Sequence, residues 1–133
     1  MQVFADTSYF LALSVAGDDA HDRAHDFTRK YSGTIVTTTW VLVELLDGLS
    51  APRYRSGAAQ FVEWIRAKPT MLVVSINDEL FEAGFQLYRK RSDKDWSLTD
   101  CASFVVMERR GLRDALTTDI DFVQAGFRAL LRA

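Results

Sequence analysis

Four acidic residues, Asp6, Glu44, Asp100 and Asp119, stand at positions where carboxylates are costly or aimed at one place. Asp6 ends an apolar strand pattern, Val3-Phe4-Ala5, and a helical pattern follows at once from Tyr9 to Leu13. Glu44 lies in Trp40-Val41-Leu42-Val43-Glu44-Leu45-Leu46, apolar nearly all round, so its helix is expected to be largely buried. A carboxylate there is unfavourable unless paired, protonated or bound to a metal. Asp100 lies in Trp96-Ser97-Leu98-Thr99-Asp100-Cys101, and Asp119 follows Ala115-Leu116-Thr117-Thr118 as Asp6 follows the first strand. Each has a plain structural explanation. Glu44 fits a salt bridge or a rim position. Ser97 and Asp100 have capping-box spacing, and Asp119 can cap a helix, with Asp121 competing for any role.

One cap explains one acid; it does not explain several that meet. In parallel α/β folds the carboxyl ends of the strands share one edge, where ligands bind. Asp6 and Asp119 share that edge, and Glu44 and Asp100 sit in early turns of helices leaving it. At about 4 Å and an effective dielectric near 20, two ionised carboxylates repel by about 4 kcal/mol. Such a cluster needs cations, and all-oxygen ligands suit Mg²⁺ or Mn²⁺ better than zinc or copper. A hard cation that keeps several waters suits phosphate chemistry.

The elements that must position these acids alternate. Strands are expected over residues 1–5, 34–38, 71–75, 114–117 and 127–131, and helices over 8–15, 20–31, 39–49, 54–67, 78–90, 98–110 and 119–124. Thr34-Ile35-Val36-Thr37-Thr38 is β-branched throughout. Met71-Leu72-Val73-Val74 is a continuous apolar run, as expected of a strand covered on both faces. The alternation argues one α/β domain with helices on both faces of a parallel sheet.

Composition bounds the function. The net charge of −2 and pI near 5.6 do not describe a basic nucleic-acid-binding domain, though they leave room for a local basic patch. A single cysteine, Cys101, excludes an intrachain disulfide and suits a reducing compartment. No leader pattern opens the chain, and no apolar run approaches the roughly 20 residues of a membrane helix. The expectation is a cytoplasmic protein.

These residues together resemble the PIN domain, specifically the small VapC-like toxin ribonucleases. The resemblance is carried by Val3-Phe4-Ala5-Asp6-Thr7-Ser8, by Glu44 in the helix after the second strand, by Asp95-Trp96-Ser97-Leu98-Thr99-Asp100-Cys101, and by Leu116-Thr117-Thr118-Asp119-Ile120-Asp121-Phe122. It spans essentially the whole chain, in order. It implies a three-layer α/β/α sandwich around a parallel sheet of four or five strands. It also implies that Asp6, Glu44, Asp100 and Asp119 hold one or two Mg²⁺ or Mn²⁺ for endoribonuclease cleavage. Thr117 matches the family's hydroxyl two residues before the last acid, with Ser8 as a further supporting side chain and Asp121 as a spare acid. The expected reaction is in-line hydrolysis of an RNA phosphodiester by water. Asp6 and Asp100 would be the principal metal ligands, Glu44 a ligand or proton acceptor, and Asp119 the completing acid. Family members are commonly homodimers held in check by an antitoxin whose tail enters the active-site groove.

Other features have quieter readings. His21 and His25 are one helical turn apart but lack further ligands, so a surface helix is expected. Cys101 reads as a small buried hydrophobe. Arg89, Lys90, Arg91 and Lys94 form the densest basic run and can meet RNA phosphates or simply complement a helix end; Arg53 and Arg55 are a second candidate. Tyr54 and Trp96 can stack on bases, and packing is preferred for Trp96. A haloacid-dehalogenase-like phosphohydrolase also places an aspartate after its first strand. It wants a second aspartate two residues on, where this chain has Ser8. A receiver domain lacks its phospho-acceptor here, and a PIN-like binding module without catalysis is the remaining alternative.

Overall fold

The structure, a computed structural model, describes residues 1–133. Its elements are β1 (Gln2–Ala5), α1 (Thr7–Ser14), α2 (His21–Lys30), β2 (Thr34–Thr38), α3 (Thr39–Gly48), α4 (Pro52–Ala67), β3 (Met71–Val74), α5 (Asp78–Lys90), α6 (Leu98–Arg110), β4 (Asp114–Leu116), α7 (Ile120–Gln124) and β5 (Arg128–Ala129). The five strands form one sheet in the order β3-β2-β1-β4-β5, and every pairing is parallel. The α/β architecture and the five-stranded parallel sheet are therefore as the alternation required.

The chain builds outward from β1 to β2 and β3, then crosses to the other side of β1 to lay down β4 and β5. The reversal leaves a crevice at the carboxyl ends of β1 and β4, the switch point where open sheets bind ligands. The backbone of Asp6 donates to the Leu116 carbonyl there (3.2 Å), so the two strand ends are tied.

Local chemistry sets the helix starts. The Thr38 hydroxyl accepts from the Val41 N–H and opens α3, Asn77 does the same for Leu80 in α5, and Pro52 opens α4. Gly111 takes the left-handed conformation (φ 66°) that closes α6. At Gly84 in α5 an added Cβ would sit 3.3 Å from the Ala102 backbone, so the absence of a side chain lets α5 and α6 approach closely. The core gathers Phe4, Tyr9, Phe10, Leu45, Ile65, Met107 and Leu116, and Phe104 packs edge-on against Phe122 and Trp96 beneath the site.

Two burial expectations are corrected. α3 is not largely buried: Val43 is 51% and Leu46 37% exposed, and Glu44 is partly exposed. Its apolar residues outnumber those its packing face can cover. β3 is not covered on both faces, because it lies at the sheet edge with only Met71 buried. The last strand is two residues, not five. No helix is long and apolar enough to cross a membrane.

Candidate metal centre

Asp6 leaves β1 at the middle of the sheet and is 4% exposed. The Thr117 hydroxyl donates to its Oδ2 (2.9 Å), with the Ser8 hydroxyl at 3.4 Å. Its Oδ1 is buried and has no hydrogen-bond partner. Thr117 also accepts the Asp119 N–H (3.0 Å), and Ser8 accepts the Thr118 N–H (3.1 Å). These two hydroxyls thus lock the end of β4 onto the start of α1.

The two caps expected as structural explanations are both present. Ser97 and Asp100 form a complete capping box, with the Ser97 N–H on Asp100 Oδ2 (3.2 Å). Asp119 caps α7 by accepting the Asp121 N–H on Oδ1 (2.8 Å). Neither cap competes with a site. Carboxylate oxygens of Asp100, Asp119 and Asp121 lie within 4.8 Å of one another while those caps are in place. Glu44 reaches in from α3, and the Thr7 hydroxyl donates to its Oε1. In all four motif acids, hydrogen bonds from the chain take one oxygen and leave the other unclaimed.

The electrostatics are those of an uncompensated cluster. Burial, then the Glu44 and Asp119 charges, push the Asp6 carboxyl up to about 6 against the pull of the Thr7 N–H and the Thr117 hydroxyl. Burial and the charges of Asp6, Asp119 and Asp121 push Asp100 up to about 7. Asp121 is raised as well, by burial and by Asp119 and Asp95. The five ion pairs of the molecule are Arg29–Asp26, Arg91–Asp93, Arg109–Glu79, Arg113–Glu108 and Arg128–Asp114, and none reaches these acids. Arg132, beside the strand end, donates to the Thr118 carbonyl instead (3.2 Å). The donors are oxygens only, and a buried oxygen of Asp6 is orphaned; both suit a hard divalent cation.

The matching family model is that of the PIN domain, aligned over residues 3–128. This chain belongs to the PIN-domain family. Two curated relatives, the 23S rRNA-specific endonuclease VapC20 of two Mycobacterium tuberculosis strains, are 30% identical over 125 residues, covering 94% of this chain and 95% of theirs. The crystal structure of M. tuberculosis VapC20, described as a Sarcin-Ricin loop cleaving toxin, superposes with a TM-score of 0.87 at 28% identity, covering 95% of this chain and 96% of that one. A toxin–antitoxin complex from Klebsiella pneumoniae shares the fold at a TM-score of 0.68 and 12% identity, over 98% of this chain and 99% of that one. PIN-domain membership sets aside the dehalogenase-like and receiver readings.

Sequence reasoning left Asp121 as a spare and passed over Asp95 and Thr7. The Asp-x-Asp spacing at the start of a short helix was a signal for Asp121, because a cap and the residue two positions later sit on one side of the first turn. The other features take quiet places in the PIN-domain structure. His21 Nδ1 contacts the Ala12 carbonyl (2.6 Å), His25 is exposed, and no third ligand joins them. Cys101 is buried, and burial with the Asp100 charge pushes its thiol up to about 11. Trp96 is only 5% exposed and packs on Phe104, so it offers no free face to a base. In the basic run, Arg91 is paired with Asp93 (3.0 Å) and lies 5.0 Å over Trp96, Lys94 lies 6.0 Å from the same ring, and Arg89 lies 5.9 Å from Phe85. Arg53 lies 4.7 Å over the Tyr54 ring.

Proposed function

We propose that this chain is a Mg²⁺- or Mn²⁺-dependent endoribonuclease and the toxin of a toxin–antitoxin pair. The observation that carries the reading is the orphaned, buried Oδ1 of Asp6 together with the Asp100, Asp119 and Asp121 carboxylates, which no lysine or arginine neutralises. A fold that only needed a polar crevice would pair that atom. The M. tuberculosis relatives, named for cutting 23S rRNA, support RNA as substrate and make ribosomal RNA the first to test.

Bound among the acids, a hard divalent ion would supply charge for the phosphoryl oxygens and make an attacking water more acidic. Asp6 and Asp100 would be the principal ligands, with Asp119 and Asp121 completing the donor set and Glu44 as ligand or proton acceptor. Thr117 and Ser8 hold Asp6 and the end of β4 in register, and the capping box fixes Asp100. No protein nucleophile takes part. Arg89, Lys94 and Arg53 are the side chains proposed to meet RNA phosphates, and Arg91 joins them by releasing Asp93. The exposed Phe81, Phe85 and Tyr88 of α5 support a protein partner on that helix, either the antitoxin or a second copy. Purified protein incubated with ribosomal RNA should cut it in Mn²⁺ and stop on adding EDTA. Cleavage that persists in EDTA, or that survives Asp100→Asn, would overturn the reading.

A further inference from the structure

We infer that Thr7 is a positioning residue that sets the Glu44 carboxylate for cation binding, an inference that rests on the metal-dependent nuclease reading. Glu44 is separated from Thr7 by 37 positions and sits on a helix whose neighbouring Val43 and Leu46 are 51% and 37% exposed. Packing on α3 therefore does not fix a side chain with three rotatable bonds. No lysine or arginine holds it either. The hydrogen bond from the Thr7 hydroxyl to Oε1 is the only one its carboxylate receives. Thr7 itself is held in place: it is 7% exposed and is the first residue of α1, directly after Asp6. The residue next to Asp6 in the chain thereby holds an acid that comes from α3. A neutral hydroxyl is suited to this task, because an arginine clamp would cancel the charge that the cation needs. It takes one oxygen and leaves Oε2 free. Outer-shell partners of this kind govern metal affinity as well as rate.

The test uses metal-stripped protein without RNA for Mn²⁺ titration calorimetry, and the loaded protein for kcat and KM. Thr7→Val keeps the shape and removes the donor. It should weaken Mn²⁺ binding by about 10- to 100-fold and lower kcat while leaving KM for RNA unchanged. Thr7→Ser, which restores the hydroxyl, should bind Mn²⁺ like the unsubstituted protein. In a Glu44→Ala background, Thr7→Val should add no further loss. Should the valine variant not fold, Thr7→Ala against Thr7→Ser decides in the same way. Unchanged Mn²⁺ affinity on losing the hydroxyl, or an equal loss in the Glu44→Ala background, would overturn the inference while leaving the nuclease reading in place. An unsubstituted protein that neither binds Mn²⁺ nor cuts RNA would overturn both.

Discussion

Replacing Asp6 by asparagine should stabilise the metal-free protein while abolishing its response to metal. Asp6 is 4% exposed, and burial with the Glu44 and Asp119 charges raises its carboxyl from 3.8 to about 6. Holding that group ionised in the folded state costs about 3 kcal/mol relative to the unfolded chain. The sign follows from proton counting. Between the unfolded and folded values the native protein binds more protons, so its stability falls as pH rises through that window and is fully reduced above about pH 6. Asparagine removes this charge but can still accept from Thr117, and its amide nitrogen would take the place of the unpartnered Oδ1. In EDTA near pH 8 the variant should gain up to about 3 kcal/mol, a rise in Tm on the order of 10 °C. The gain should shrink towards zero below about pH 4, where both states are protonated. In Mn²⁺ at roughly a hundred times its Kd, the unsubstituted protein should gain about 2.7 kcal/mol and the variant little. Thermal melts by circular dichroism across this pH range, with EDTA and with Mn²⁺, provide the measurement. A variant that melts below the unsubstituted protein in EDTA near pH 8, or whose advantage does not depend on pH, would refute the reasoning.

Thr117→Val should destabilise by about 1–3 kcal/mol in urea unfolding, because the part-buried Asp119 N–H loses its acceptor and the buried Asp6 Oδ2 its nearer donor; a loss under about 0.5 kcal/mol would count against that network. Cys101, buried and with its thiol pushed up to about 11, should resist iodoacetamide near pH 8 in native protein and react once unfolded; rapid native labelling would show the thiol to be exposed.

Much of this protein was legible in its residues alone. The β-branched run at Thr34–Thr38 and the Ser97–Asp100 capping box mark local choices that physics makes locally, and the structure places them as the sequence reads. The four motif acids stood out in the sequence because a carboxylate at a strand end or in an apolar helix is a conspicuous cost. What the chain did not declare depends on distance in space. The strand order that opens the crevice between β1 and β4 comes from long-range pairing, which no local pattern encodes. Apolar content cannot tell an edge strand from a central one, so β3 read as covered when one side has no neighbour. Tertiary packing alone brought Asp100 to the Asp119 and Asp121 pair, and bound Thr7 to Glu44 across 37 residues. Sequence fixes which side chains can bear charge; only the folded chain decides which of those charges must share a space too small to hold them unaided.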